Sequence, residues 1–332
     1  MCGGAVLGLT EFPAVAYTEN RETAKSVSIP TPDIEKYLHP PAICGIMYSR
    51  CGKPDIRERY AGNRSDGVAG CYKRTAEKGK TMRILAIGDI VGSVTVGYLE
   101  SVLWRVRNER KIDFVIANGE NAAEIRGINS AEAGRLFDAG VDVLTLGNHA
   151  FGQRDISSLL ESDCRIIRPA NYPAAAPGNG YTVLDLSGWR VLCINLCGRV
   201  FMDAFADPFE TAEKILAREK GKYDLSVLDI HAEATSEKWA LARALDGKVS
   251  VMFGTHTHVT TADEQVLPGG SMWQTDLGMS GPVGGVIGTK TESVLGRFRT
   301  LLPTRFEVAD GPVEVHGTVF DLSAKRAERV VF

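Results

Sequence analysis

The sequence predicts an α/β fold, with a layered β-sheet core flanked by helices and with antiparallel strands near the C-terminal end. Three observations support this prediction. From Met82 onward, short apolar runs alternate with helical patterns, which is typical of βαβ units and of a largely parallel sheet covered on both faces. Helix-capping residues stand between these apolar runs. The segment 313–319 has the polar alternation of antiparallel strands at a sheet edge.

The first 81 residues of the 332-residue chain differ from the residues that follow. They hold six of the 14 prolines and four of the seven cysteines, and they lack clean hydrophobic periodicity. Residues 50–80 contain nine lysines or arginines against four aspartates or glutamates, as in a solvated linker. We therefore predict a poorly ordered extension over residues 1–81 and a folded domain over residues 82–332. Met82 is itself a candidate translation start.

The composition, 44% hydrophobic and 24% charged, is that of a soluble globular protein. A net charge of -3 supplies no global positive field, so a stable nucleic-acid complex is not predicted, whereas a small anionic substrate beside bound metals is compatible with it. No signal peptide or membrane span is recognisable. The seven cysteines do not form a secreted disulfide framework, and Cys44, Cys51 and Cys71 lack the paired spacing of a zinc site. We predict a cytoplasmic protein, and the sequence leaves open whether it forms a homo-oligomer.

Six apolar runs predict the core strands, at residues 83–88, 113–118, 141–146, 190–196, 224–230 and 249–254. Helices fit between them. Asn129, followed three residues later by a glutamate, resembles a capping box for a helix that runs to about Ala139. Asp207, with a proline at the next position, marks a second helix start. Thr235 is predicted to cap a third helix, which ends at about Leu245.

Side chains of the kinds that bind metals follow five of the apolar runs. The candidates are Asp89, Glu120, Asn121, Asn148, His231, His256 and His258. Because the carboxyl ends of strands in an open α/β sheet meet in one crevice, we expect these residues to lie together. Oxygen and imidazole ligands without a thiolate favour Mn, Fe or Zn in a mixed site. Seven candidates are too many for one tetrahedral ion and suit two divalent ions that share a carboxylate.

Five motifs carry a resemblance to a known family. They are Gly-Asp-Ile-Val-Gly at 88–92, Glu120-Asn121, Gly147-Asn148-His149, the segment 231–237 and Gly-Thr-His-Thr-His at 254–258. They are similar to motifs of the YmdB-type branch of the calcineurin-like metallophosphoesterases. Segments 168–173 and 275–282 strengthen the resemblance, which extends from Met82 to about Leu322. The wider superfamily has a histidine where this chain has Val91, and in the YmdB-type branch the Glu-Asn pair compensates, so the resemblance is specific to that branch.

The resemblance implies a calcineurin-like metallophosphoesterase fold and hydrolysis of 2′,3′-cyclic nucleotides, typically of adenosine, to a nucleoside monophosphate. It also implies two divalent ions, iron or manganese, with zinc as the alternative. One ion would be held by Asp89, Glu120, Asn121 and His258. The other would be held by Glu120, Asn148, His231 and His256. Glu120 would then be the bridging ligand.

Two roles are open for His149, which follows a ligand candidate but is not needed for coordination. It is a candidate general acid for the ribose leaving group, a role worth about 10²–10⁴-fold in rate, or it orients a ligand. Arg126 either contacts a phosphate or faces solvent. Two rival functions also stay open: hydrolysis of a phosphomonoester or another small ester, and regulation by metal or nucleotide binding with residues 1–81 as a docking arm.

Overall fold

The computed structural model describes residues 82–186 and 188–332, which form 15 strands and six helices. The strands are β1 (Arg83–Ile87), β2 (Asp89–Ile90), β3 (Phe114–Asn118), β4 (Val143–Thr145), β5 (Ile166–Ile167), β6 (Tyr181–Leu186), β7 (Trp189–Cys197), β8 (Leu225–His231), β9 (Val251–Thr255), β10 (Gln265–Val266), β11 (Met272–Gln274), β12 (Met279–Pro282), β13 (Val313–Glu314), β14 (His316–Asp321) and β15 (Arg326–Val331). The helices are α1 (Gly92–Glu109), α2 (Ser130–Ala139), α3 (Ile156–Ser162), α4 (Pro208–Arg218), α5 (Thr235–Leu245) and α6 (Thr291–Thr300). No helix in these ranges has the length and hydrophobicity needed to cross a membrane. The predictions for residues 1–81, including the unfavoured cysteine site, lie outside the described residues.

Within these ranges the strands assemble into two six-stranded sheets and a small third sheet. Their strand orders are β15-β14-β1-β3-β4-β5, β10-β11-β9-β8-β7-β6 and β13-β12-β2. The central pairs β1–β3, β3–β4, β7–β8 and β8–β9 are parallel. The C-terminal strand β14 pairs antiparallel with both β1 and β15. The predicted strand 313–319 is interrupted, because Val315 exchanges backbone hydrogen bonds with Phe332 and β13 pairs with β12 instead.

Alternating side chains along β1 explain the layered architecture. Ile84 and Ala86 lie in a core cluster together with side chains of the second sheet, such as Val227. Leu85 and Ile87 face the opposite side and belong to a cluster that includes buried residues of α1 and α2. A third cluster joins the second sheet to α4 and α5. The expected sheet covered on both faces is thus two stacked sheets, each with helices on its outer face.

The helix starts test the capping predictions one by one. Oδ1 of Asn129 accepts the backbone N–H of Glu132 at 2.9 Å, which confirms the predicted cap of α2. Asp207 accepts the backbone N–H groups two and three residues ahead at 2.8 and 3.0 Å, so the α4 cap is confirmed as well. The prediction for Thr235 is wrong, because Ala234 is the last residue with an extended backbone and Thr235 is already the first helical residue of α5.

We expect Asp207→Ala to lower the free energy of unfolding by about 1 kcal/mol, since losing an N-cap acceptor typically costs 0.5–2 kcal/mol. The carboxylate serves two amides at the start of α4, and neither has another acceptor in the first helical turn. Urea unfolding followed by circular dichroism measures the effect, with Glu161→Ala on the exposed side of α3 as the control. A loss no larger than that of the control contradicts the capping role.

Candidate metal centre

The predicted ligand residues lie at the carboxyl ends of strands that run parallel. In chain order they are Asp89 two residues after β1, Glu120 and Asn121 after β3, Asn148 after β4, His231 at the end of β8, and His256 and His258 after β9. Glu120, His231 and His256 offer ligand atoms that all lie within 4.8 Å of one another. The strand-end arrangement therefore places residues from both large sheets in one crevice.

The Nε2 atom of His231 is the centre of the first group. It lies 3.0 Å from Oε1 of Glu120 and 3.1 Å from Oδ1 of Asn148. It also lies 3.0 Å from Nδ1 of His256. His231 and Glu120 are buried, whereas Asn148 and His256 are partly exposed. Two oxygens and two imidazole nitrogens at such distances form a donor set that suits a divalent transition metal.

A buried hydroxyl and a buried carboxylate determine which nitrogen of His231 faces this group. Oγ1 of Thr255 donates its only proton to Oδ1 of Asp229 at 2.7 Å and lies 2.9 Å from Nδ1 of His231. Thr255 must therefore accept the proton on Nδ1, which leaves Nε2 as the atom available to a metal. Asp229 is held in turn by Thr145 at 2.5 Å and by Asn118 at 3.1 Å. Such supporting carboxylates orient metal-binding histidines.

Asp89 and His258 form the second group. Oδ2 of Asp89 accepts the backbone N–H of His256 at 3.0 Å, whereas its buried Oδ1 has no hydrogen-bond partner among the described residues. That oxygen lies 3.9 Å from Nε2 of His258. Nδ1 of His258 lies 3.0 Å from the carbonyl oxygen of Ile287 and donates to it, so Nε2 is the nitrogen directed at the carboxylate. Burial raises the pKa of Asp89, and a cation beside the unpartnered oxygen would stabilise the charged form.

The charges within the first group are strongly coupled. Burial alone would raise the pKa of Glu120, but the imidazoles of His231 and His149 lower it to about 2. Burial would lower the pKa of His231, but Glu120 and then Asp89 raise it to about 9. For His256, burial and the charge of His231 lower the pKa to about 3. The proton on Nε2 of His231 is the one that a cation would replace, because metal binding and protonation compete for that lone pair.

The Asn121 amide lies between two histidines. Its Oδ1 is 3.1 Å from Nδ1 of His149, and its Nδ2 is 3.4 Å from Nε2 of His258. Asn121 therefore presents its amide nitrogen to the second group, and a 180° turn of the amide would present the oxygen that a metal requires. The backbone N–H of His149 donates to Oε2 of Glu120 at 3.0 Å. His149 thus lies at the edge of the centre, in contact with two ligand candidates.

Two backbone features bring the chain close to the ligand candidates. His256 and His258 have φ angles of 98° and 63°, in the left-handed region that residues other than glycine seldom adopt. At Gly147, a Cβ atom would lie 2.2 Å from Oε2 of Glu120 and 2.3 Å from Nε2 of His231. Only glycine lets this loop approach the ligands so closely.

The segment 168–173 contacts the loop that carries Asn148. The guanidinium of Arg168 donates to three backbone carbonyls at 2.8, 2.9 and 3.0 Å, so this arginine holds a loop. The hydroxyl of Tyr172 donates to the carbonyl of Asn148 at 3.2 Å. Arg126 is exposed, and its carbonyl accepts a side-chain amide at 2.7 Å. The phosphate and solvent roles of Arg126 both stay predictions.

The residues that orient the imidazole of His231 were not predicted from the sequence. The group formed by Asp229, Thr255, Thr145 and Asn118 was not identified, although Asp229 stands two positions before His231 in one strand. Alternate residues of a strand face the same side, and this spacing was the available signal. Thr145 and Asn118 carried no such signal, since their contact with Asp229 joins strands of different sheets.

Comparison with known proteins agrees with the motifs and the fold. The sequence profile of the family described as YmdB-like protein matches residues 85–331. A 2′,3′-cyclic-nucleotide 2′-phosphodiesterase of Bacillus subtilis (strain 168) is 39% identical over 249 residues, which cover 75% of this chain and 94% of that protein.

Two solved structures align over the same part of the chain. The crystal structure of a hypothetical protein from Thermus thermophilus has a TM-score of 0.72 and 40% identity, covering 76% of this chain and 99% of its own. That of a novel phosphatase from Mycoplasma pneumoniae has a TM-score of 0.71 and 29% identity, covering 76% and 94%. The resemblance carried by the five motifs is confirmed, and the chain belongs to the YmdB-like protein family.

Proposed function

We propose that the chain is a phosphodiesterase that hydrolyses 2′,3′-cyclic nucleotides at the centre formed by its strand ends. One observation carries the proposal: oxygen and imidazole donors converge on Nε2 of His231, beside a buried oxygen of Asp89 that has no partner among the described residues. The name of the Bacillus subtilis relative supports this activity, and the name of the Mycoplasma pneumoniae structure supports a phosphatase. The stacked sheets support a calcineurin-like metallophosphoesterase fold in residues 82–332.

The two groups of donors divide between two ions. Glu120, Asn148, His231 and His256 would hold one ion, as their mutual distances support. Asp89, Glu120, Asn121 and His258 would hold the other. Iron or manganese suits this oxygen and imidazole set, with zinc as the alternative. When bound, two such ions lower the pKa of water and stabilise negative charge on phosphoryl oxygens.

The Asn121 amide links metal binding to the position of the proton on His149. With Oδ1 turned towards the ion, the amide N–H groups face Nδ1 of His149, which lies 3.1 Å from the terminal amide atom. Nδ1 then accepts a hydrogen bond, so the single proton of neutral His149 sits on Nε2. From there the imidazole would donate a hydrogen bond to the leaving ribose oxygen and stabilise the negative charge that develops on it, a role worth about 10²–10⁴-fold in rate.

The name of the Bacillus subtilis relative, a 2′-phosphodiesterase, supports the 2′ ester as the bond that is cleaved. Cleavage of the 2′ ester of a cyclic phosphate leaves the phosphate on O3′, so the expected product is a nucleoside 3′-monophosphate. His149 would donate a hydrogen bond from Nε2 to O2′ as this bond breaks, and the attacking water supplies the proton that O2′ gains. Water supplies the new phosphorus–oxygen bond, and no oxidant or other co-reactant is needed.

We expect the purified protein with Mn²⁺ to convert 2′,3′-cyclic AMP to 3′-AMP, and Asn148→Ala to lower kcat/KM by about 10²-fold or more. Even residues that only support a metal ligand typically contribute 10–100-fold to affinity or activity. Asn108→Ala, on the exposed side of α1, is the matched control and should have wild-type activity. Chromatographic separation of 2′-AMP and 3′-AMP measures both turnover and product.

Other outcomes of this assay separate the rival functions. Metal-dependent turnover of a phosphomonoester without turnover of the cyclic diester would assign the centre to a phosphatase. Nucleotide binding without turnover of either ester would favour a regulatory protein. Asn148→Ala activity equal to that of the wild type would contradict the proposed ligand set.

A further inference from the structure

Lys238 and Asp276 form an ion pair inside the protein, next to the candidate metal centre but outside its ligand set. Nζ lies 2.6 Å from Oδ2, and both side chains are 1% exposed. The lysine stem, which starts on α5, passes beside Gly254, where a Cβ atom would lie 2.9 Å from Cδ of Lys238. Lysine and aspartate are almost never fully buried unless they are paired. Gly254 therefore leaves the space that the lysine stem uses to reach the carboxylate.

Asp276 connects this pair to the turn at residues 256–258. Its Oδ2 also accepts the hydroxyl of Thr257 at 2.8 Å and the backbone N–H of Thr257 at 3.3 Å. Its Oδ1 accepts the backbone N–H of Gly278 at 2.8 Å. Oγ1 of Thr257 accepts the backbone N–H of Val259 at 3.3 Å, which closes the turn on itself. Two of the four donors to Asp276 thus belong to the residue between the two histidines.

The turn held in this way is strained. His256 and His258 have φ angles of 98° and 63°, and such conformations persist only where the surroundings over-determine them. A carboxylate that receives four donors supplies that constraint. An amide at position 276 would not, because its N–H groups would face a lysine ammonium or another N–H.

We propose that the buried Lys238–Asp276 pair is a positioning device which, through Thr257, sets the affinity of both metal sites together. The inference rests on the proposed two-metal centre, where His256 and His258 serve different ions. If the turn at residues 256–258 relaxed, the imidazoles of both His256 and His258 would move. The affinities of the two metal sites should therefore change together. Neither Lys238 nor Asp276 needs to touch a metal or the substrate for this effect.

The test is calorimetric titration of the chelator-treated full-length protein with Mn²⁺. Thr257→Val keeps the size of the side chain and removes both hydroxyl hydrogen bonds, and we expect it to weaken both Mn²⁺ binding steps by about 10–100-fold. Thr257→Ser keeps the hydroxyl and should return the affinity to near the wild-type value. Thr211→Val is the matched control, because the hydroxyl of Thr211 donates to the backbone carbonyl of Asp207 at 2.7 Å on α4, a helix that carries no predicted ligand.

Catalysis gives a second readout that general destabilisation does not reproduce. At limiting Mn²⁺, Thr257→Val should have low activity, and saturating Mn²⁺ should restore kcat because every ligand is still present. Lys238→Met should show the same metal-dependent defect with lower thermal stability, because it leaves the carboxylate buried and unpaired. Should that variant fail to fold, the Thr257 variants decide the question alone.

Three results would overturn the inference. They are wild-type Mn²⁺ affinity in Thr257→Val, weakening of only one binding step, and an equal loss in Thr211→Val. Failure of the proposed function looks different. A protein that binds two Mn²⁺ ions with the expected variant pattern but hydrolyses no cyclic nucleotide would refute the activity and leave the positioning role intact.

Discussion

Glu120→Gln is expected to lower kcat/KM for 2′,3′-cyclic AMP by at least about 10³-fold. The carboxylate contacts His231 at 3.0 Å through Oε1 and accepts the backbone N–H of His149 at 3.0 Å through Oε2. As the proposed bridge it contributes to both ions, and metal ions supply several kcal/mol of transition-state stabilisation. At 1.36 kcal/mol per tenfold, about 4 kcal/mol corresponds to this factor.

The variant is nearly isosteric, so lost charge rather than lost volume should cause the effect. Metal content by elemental analysis should fall below that of the wild type in parallel with turnover. Glu124→Gln provides the matched control, because Glu124 is exposed on the same loop. A Glu120→Gln protein that keeps its full metal content and retains activity within tenfold of the wild type would contradict the bridging role.

His149→Ala is expected to lower kcat by about 10²–10⁴-fold while leaving the number of bound metal ions unchanged, as for the loss of a general acid. The side chain lies at the rim, 28% exposed, with Nδ1 3.6 Å from Oε1 of Glu120. Burial lowers the pKa of His149, which Glu120 opposes, and a neutral imidazole with its proton on Nε2 can still donate a hydrogen bond to the leaving oxygen.

The leaving group distinguishes a proton donor from a group that only orients Asn121. A nitrophenyl leaving group needs no proton, so His149→Ala should hydrolyse bis(p-nitrophenyl) phosphate at close to the wild-type rate. His316→Ala is the matched histidine control, since His316 lies on β14 outside the predicted ligand set. Equal losses on both substrates would assign His149 an orienting role instead.

That the ligand candidates lie together could be predicted, because one geometric rule connects sequence to site; their role as metal ligands stays a prediction. Parallel strands end on the same side of a sheet, so Glu120 and His231 were expected to meet although they belong to different strands. The rule is stated for one sheet, and it held here because β3 and β8, which belong to different sheets, end at the same centre. The layered β-sheet core was thus predicted, whereas the division of its strands between two six-stranded sheets was not.

What could not be predicted depends on contacts between distant segments. Lys238 lies in the first turn of α5, and a lysine in a helix is usually exposed to solvent. Its burial against Asp276 depends on the fold and could not be read from the sequence. The N-cap of α5 is Ala234, one residue before the predicted Thr235, and this difference is within the range over which helix boundaries vary. The orientation of the Asn121 amide is set by His149 and His258, which lie on other loops.

The central claim, that two ions act together in this centre, is tested most directly by turnover as a function of bound metal. Chelator-treated protein is titrated with Mn²⁺, and 2′,3′-cyclic AMP hydrolysis is measured at each ratio of bound ion to chain. We predict that activity develops with the second ion and reaches its maximum at two ions per chain. Full turnover with one ion bound, or no turnover with two, would contradict the claim.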